Sequence, residues 1–234
     1  MQTIKAFYQQ TRPVTTLFLL MSLDGKISTG ADDDRDFDKD LPKIYDPREG
    51  LHQYYEIEQM TDLWSLCSGR VQAKIGANES PLERSAVIGI TFVVIDNHHL
   101  TRHGVEYLCS KYHRVMFVTV NSKHPAFLVT IPNLQVLYYE RFQVSRMMED
   151  LYQKFGCDRL TIQTKGSLNS QFLREKVIDY VDVVVAPILV GGKDTSTLID
   201  GESAITLEEL GVLQLLKATP LQNSYLRLQY KVIS

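Results

Sequence analysis

Two short turns join a glycine to groups able to hold an anion. Thr164-Lys165-Gly166-Ser167-Leu168 follows a β-favouring run and opens an apolar helical stripe, so its backbone amides fall at a helix N-terminus. Unpaired N–H groups and the helix dipole favour a phosphate at such a point, although a glycine there can also serve the turn alone. Gly69-Arg70 closes a second strand-like run. A guanidinium is a planar fork whose donors match a phosphate monoester, such as a nucleotide 2′-phosphate; the plain alternative is a loop arginine in solvent. Asp24, in the turn Ser22-Leu23-Asp24-Gly25 after the first apolar run, is either an orienting carboxylate or a turn aspartate.

Other constellations fail on detail. Asp34, Asp36 and Asp38 alternate as in a calcium loop, but counting from Asp34 the sixth residue is Lys39 and the twelfth Tyr45, where glycine and glutamate are needed. The acidic loop Thr29 to Asp40 is therefore expected to be solvated, with a lid as its functional alternative. His98, His99 and His103 lie near Asp96 without a convergent ligand set, so no metal is expected. Neither G-x-G-x-x-G, nor G-x-x-x-x-G-K-[ST], nor G-x-S-x-G occurs.

The elements that must position these residues follow from pattern. Leu160 to Gly192 reads as strand, glycine turn, helix, strand and second glycine turn, with Ser167 as helix cap and Leu168, Phe172, Leu173 and Val177 as one stripe. Val181 to Pro187 is a near-continuous apolar strand, the mark of a parallel sheet covered on both faces. Further strands are expected at 14–21, 63–66, 86–95, 115–120 and 134–139. Asp46-Pro47-Arg48-Glu49 predicts a helix start with Asp46 as cap and Glu49 in a capping box. Helices also fit 103–110 and the stretch from Ser145 to the stop at Gly156. The tail, through Pro220-Leu221-Gln222-Asn223, pairs as an antiparallel edge hairpin.

Composition bounds the class. The 234 residues, 44% hydrophobic and 23% charged with net charge −3, suit one soluble α/β domain over 1–234. No basic stripe points to nucleic acid, and no apolar run is long enough to span a bilayer. With no signal-like leader expected and Cys67, Cys109 and Cys157 widely spaced, the chain is expected in the cytoplasm with three free thiols.

Taken in order, these motifs resemble the bacterial riboflavin-biosynthesis pyrimidine reductase domain, a relative of dihydrofolate reductase. Met21-Ser22-Leu23-Asp24-Gly25-Lys26 is similar to the family's S-L-D-G-K, and Val181-Asp182 through Ala186-Pro187 to Gly191-Gly192 to its V-D-E…A-P…L-G-G segment. Gln163 to Leu168 occupies the place of E-G-G-x-x-L, with Thr164-Lys165 where the family has Glu-Gly. Gly69-Arg70-Val71-Gln72 stands where it often has G-x-x-T. The resemblance implies a dihydrofolate reductase-like, three-layer fold with a central mainly parallel sheet. It also implies an NADPH-dependent reductase of a small heterocyclic or imine/carbonyl compound, with 5-amino-6-(5-phosphoribosylamino)uracil as the family's substrate. Thr164, Lys165, Gly166, Ser167 and Leu168 would take the pyrophosphate, Gly69 and Arg70 the adenosine end, and Asp24 would lie near the nicotinamide. A homodimer is implied as well. The alternative is a non-catalytic descendant that binds a nucleotide or pyrimidine.

Overall fold

Aliphatic runs that are buried on both faces can only be satisfied between two helical layers, and that is how they are arranged. The computed structural model describes residues 10–82, 86–204 and 206–233; the ends of the expected 1–234 domain lie outside these. Nine strands form one sheet: β1 (Val14–Ser22), β2 (Trp64–Ser68), β3 (Ile88–Ile95), β4 (Tyr112–Thr119), β5 (Leu134–Tyr138), β6 (Arg159–Gln163), β7 (Tyr180–Ala186), β8 (Leu213–Pro220) and β9 (Leu226–Val232). Their order is β5-β4-β3-β2-β6-β1-β7-β9-β8. The pairs from β5 to β7 are parallel, and β9 runs antiparallel to both β7 and β8. The helices are α1 (Phe37–Asp40), α2 (Tyr45–Glu58), α3 (Gly69–Lys74), α4 (Arg102–Lys111), α5 (Val144–Phe155) and α6 (Gly166–Arg174). The mainly parallel sheet and C-terminal antiparallel hairpin are as the sequence predicts, with β8 as the edge.

Successive strand residues point to opposite faces, and β1 and β7 use both. Leu17 and Val183 join Leu66, Leu160 and Ile162 under Met147, Met148 and Leu151 of α5 and Phe172 of α6. Phe18, Leu20 and Val184 face Leu51, Tyr54 and Ile57 of α2. On that second face α4 covers a separate cluster, with Val105 and Leu108 against Phe92, Val94, Val115 and Phe117. Between these two clusters, β2 and β6 alternate Ser65 and Gln163 onto the sheet surface. The central strands are thus apolar toward α5 and α6 and polar toward the gap.

Local contacts fix the frame. Asp182 of β7, 8% exposed, accepts from Arg227 Nε at 2.9 Å and Nη2 at 2.6 Å and from Gln229 Nε2 at 3.0 Å, which sets the β7–β9 register. Tyr225 donates its hydroxyl to Pro47 O at 2.6 Å and packs where a Cβ on Gly50 would meet its ring at 2.5 Å. Two expected caps differ. α2 starts at Tyr45 with Ile44 as cap residue and no side-chain bond, because the 3-10 turn Leu41–Lys43 runs straight into it and Ile44 N–H is taken by Leu41 O. Asp46 and Pro47 therefore sit inside the first turn, and Glu49 pairs with Arg48. In α6 the cap residue is extended Lys165, so Ser167 is the second helical residue rather than the cap. The helix ends at Arg174, leaving Val177 buried but outside it.

Candidate active site

The uncovered strip of sheet between α2 and the α3–β3 side opens into a cleft of about 710 Å³. Ser65, Cys67 and Gln163 form its floor; Tyr54, Tyr55 and Glu58 of α2 form one wall; Phe92, Tyr112 and Lys111 face them. The cleft runs along the sheet face, and its Arg70–Lys165 end lies at the carboxyl ends of β2 and β6, where open α/β sheets take ligands. The floor is ordered by a relay: Ser65 Oγ donates to Gln163 Oε1 at 2.9 Å, and Gln163 Nε2 donates to Glu58 Oε1. Burial pushes the Glu58 carboxyl above its usual range against the opposing effect of that bond. Asp38, which accepts from Tyr55 Oη at 2.6 Å, is raised for the same reason.

Ala31, Asp32, Asp33, Asp34 and Arg35 of the acidic loop are exposed to solvent as expected, and several of the loop's carboxylates are paired. Like charges packed together need cations, and the cleft supplies them. Lys74 Nζ, whose side chain is 4% exposed, sits 2.9 Å from Asp36. Asp33 lies 3.1 Å from both Arg70 Nη2 and Lys165 Nζ. Thr29 donates to Asp40, which also takes Lys43 at 2.9 Å. Residues 27–38 consequently arch over the cleft and contribute to its lining.

The two glycine junctions come together here, as sequence spacing cannot show. Arg70, Thr164, Lys165 and Ser167 line the cleft; Gly69, Gly166 and Leu168 lie behind them. A Cβ on Gly69 would stand 2.3 Å from Asp96 Cγ, and one on Gly166 would stand 2.3 Å from Thr197 O and 2.4 Å from Asp200 Oδ2. Both glycines are therefore demanded by close packing of the chain on itself. Leu168 packs against the α5–α6 core. Thr164 is buried and spends its hydroxyl on Asn169 Oδ1. What remains for a ligand is the uncapped start of α6, where the first amides have no intrahelical acceptor, together with the Arg70 and Lys165 cations. These two converge on one carboxylate, so the point between them already holds an anion. Burial alone would raise the Asp33 pKa, but the bonds from Arg70 and Lys165 hold it below the usual range.

Asp24 lies elsewhere. Its carboxylate accepts from Ser22 Oγ at 2.5 Å and from the amides of Gly191 at 2.6 Å and Val190 at 3.1 Å, which lower its pKa to about 2. It is exposed, does not line the cleft, and clamps the β1 turn to the Gly191-Gly192 turn. Its carboxylate is thus spent on the turn amides. Ser65, Gln163 and Glu58 are the residues the sequence reading missed; the polar alternation in Ser65-Leu66-Cys67 and Thr161-Ile162-Gln163 was the available signal. Among the described residues no group of three or more metal-ligating side chains is gathered. His99 Nδ1 and His124 Nε2 are instead each 2.9 Å from Asp96. No described helix is long and apolar enough to cross a membrane.

Comparison with known proteins places this geometry in a family. The chain is 25% identical over 233 residues to the riboflavin biosynthesis protein RibD of Actinobacillus pleuropneumoniae, covering 97% of itself but 59% of that protein. It is 27% identical over 201 residues to a 2,5-diamino-6-ribosylamino-4(3H)-pyrimidinone 5′-phosphate reductase of Methanothermobacter thermautotrophicus, covering 82% of itself and 85% of the relative. Among solved structures, RibD of Acinetobacter baumannii superposes with a TM-score of 0.67 at 14% identity, over 96% of this chain and 59% of that one. Dihydrofolate reductase of Enterococcus faecalis superposes with a TM-score of 0.50 at 8% identity, over 94% of this chain and 97% of that one, so the fold is dihydrofolate reductase-like. The sequence model of the RibD C-terminal domain matches residues 13–225, and the chain belongs to that family.

Proposed function

We propose that the protein is an NADPH-dependent reductase of a ribosylaminopyrimidine phosphate, the compound class printed in the names of its archaeal relatives. The observation that carries this reading is the convergence of Arg70, in the first turn of α3, and Lys165, after β6, on one anion beside the start of α6 and within a polar-floored cleft. Arg70 would hold the 2′-phosphate, and Lys165 with the Gly166 and Ser167 amides the pyrophosphate. NADPH held by these residues would supply a hydride to an imine or carbonyl carbon of the substrate. Tyr54, Tyr55 and the Ser65–Gln163–Glu58 relay orient the heterocycle, and the 27–38 arch excludes water from the reacting atoms. Asp24, at the turn after β1, would stand toward the nicotinamide as an orienting group while it tethers the Val190-Gly191 turn.

The test is a titration with NADPH and with NADH, followed by cofactor fluorescence and thermal stability. A ligand specific for the folded state raises apparent stability by mass action, so NADPH at about millimolar concentration should raise the melting temperature. No shift with either cofactor would sink the reductase reading and favour a non-catalytic descendant.

Two further proposals concern its setting. The buried free thiols Cys67, Cys109 and Cys157 suit a reducing compartment, which supports the cytoplasm. A homodimer is supported by β8, an edge strand whose Leu215 and Leu216 are 53% and 54% exposed. Sedimentation should give twice the chain mass, and Leu215→Lys should give monomers; a native monomer would exclude this assembly.

A further inference from the structure

Of the cations that line the cleft, Arg70 and Lys165 are spent on Asp33 and Lys74 on Asp36, whereas no cation lies within ion-pair distance of Glu58 among the described residues. Glu58 receives one hydrogen bond there, from Gln163 Nε2 to Oε1. Ser65 decides which oxygen is filled: by donating to Gln163 Oε1 it turns the Gln163 NH2 toward Glu58, so an acid proton belongs on Oε2. That oxygen is not sealed off, because Asn133 Oδ1 is the single buried side-chain polar atom without a partner among the described residues. It opens on the cleft that Glu58 lines.

The titratable groups that interact with this carboxyl are Tyr54 and Tyr55 of its own helix, Asp38 of α1, Cys67 of β2, Lys111 of α4 and Tyr112 of β4. Burial raises the pKa of the three tyrosines and of Cys67, which keeps them neutral, so Asp38 and Lys111 are the charges Glu58 feels. Burial also raises Glu58; the Gln163 bond and Lys111 oppose it, and Asp38 adds to it. A carboxyl held in its acid form in a cleft is suited to give a proton.

Resting on the reductase reading, we infer that Glu58 is a catalytic residue that passes its proton from Oε2 to the imine nitrogen or carbonyl oxygen of the substrate. The substrate carbon accepts the hydride that NADPH would supply, and the π pair of its double bond moves to the nitrogen or oxygen, which takes the proton. The Glu58 O–H bond breaks with its electrons left on Oε2. NADPH is oxidised, the substrate is reduced, and the carboxylate regains a proton from water.

Glu58→Gln keeps the shape and can still accept from Gln163 with its oxygen, but its NH2 on the cleft side has no proton to give. NADPH binding and NADPH oxidation with 2,5-diamino-6-ribosylamino-4(3H)-pyrimidinone 5′-phosphate are measured across pH. The acid form is the reactive one, so native kcat should fall as pH rises through the Glu58 pKa. The variant should lose that alkaline limb, lower kcat about a hundredfold or more, and bind NADPH as the native protein does. Glu58→Asp should recover part of the rate together with the limb. An unchanged rate and limb in Glu58→Gln overturns the inference while the reductase reading stands, and loss of NADPH binding overturns it by making Glu58 a prop of the cofactor site. Absence of native turnover at every pH defeats the reductase reading and the inference with it. Carbon-13 NMR of ligand-free protein labelled at the glutamate carboxyl, native against Glu58→Gln, reads the group without turnover. Glu58 should titrate above the ordinary glutamate range, and titration within or below that range overturns the role.

Discussion

Asp96→Asn is expected to lower the folding stability by about 3 kcal/mol or more. Asp96 is 2% exposed at the end of β3, and both of its oxygens are filled by donors. Oδ1 accepts His99 N–H at 3.1 Å and His99 Nδ1 at 2.9 Å; Oδ2 accepts Leu100 N–H at 3.0 Å and His124 Nε2 at 2.9 Å. His124 Nδ1 accepts from Ala126 N–H at 3.1 Å, which fixes the tautomer with its proton on Nε2. Whichever oxygen becomes an NH2 group meets a backbone N–H that cannot change role, so every rotamer of asparagine sets donor against donor. Denaturant unfolding measures the loss, and a change under about 1 kcal/mol would mean the site relaxes or hydrates. The pH profile gives a second readout. Burial raises the Asp96 pKa, but the bonds from His124, Leu100 and His99 outweigh it and hold the carboxyl well below its usual range. A depressed folded pKa contributes stability that is present above the unfolded value near 3.9 and lost as pH falls toward the folded one. That acid-side slope should be shallower in the asparagine variant.

Arg70→Ala should raise the NADPH dissociation constant roughly tenfold to a hundredfold, the loss of a charge-assisted fork to phosphate, while changing that for NADH little. Equal weakening of both cofactors would refute a 2′-phosphate role for Arg70. Asp33→Asn should act in the opposite direction. The Asp33 carboxylate occupies the position between Arg70 and Lys165, and a phosphate must displace it. Removing its charge should tighten NADPH about fivefold, the scale of two solvent-exposed ion pairs. Weaker binding in Asp33→Asn would show that the arch supports the cofactor rather than competing with it. Isothermal titration with both cofactors on the two variants separates these outcomes.

The contrast between fold and site in legibility has a physical cause. Strand runs such as Val181 to Pro187 are decided by burial on both faces, a property of residue type alone, and the sheet follows them. The S-L-D-G-K turn and the Gly191-Gly192 turn are also visible in sequence, and the structure joins them through Asp24. Which residues face one cleft depends on strand order, and β2 lies beside β6 only after a crossover that local pattern does not encode. Glu58 meets Gln163, 105 positions away, only in the folded chain. The ion pairs of the acidic loop are not legible because its counterions, Arg70, Lys74 and Lys165, are distant in sequence. Gly69 and Gly166 read as phosphate turns, whereas their missing side chains make room for Asp96 and for the Thr197–Asp200 turn.

The hydroxyl of Tyr225 on Pro47 makes the C-terminal hairpin a buttress for one wall of the cleft. Helix α2, which carries Tyr54, Tyr55 and Glu58, is held from outside by the last strands, whereas Arg70 in the first turn of α3 and Lys165 after β6 follow strands in the middle of the sheet. The Gln163–Glu58 bond carries that support from α2 to β6, two residues before Lys165. A disturbance of the last two strands is therefore passed through α2 to the floor of the cleft and to the Lys165 side, far from the hairpin in sequence.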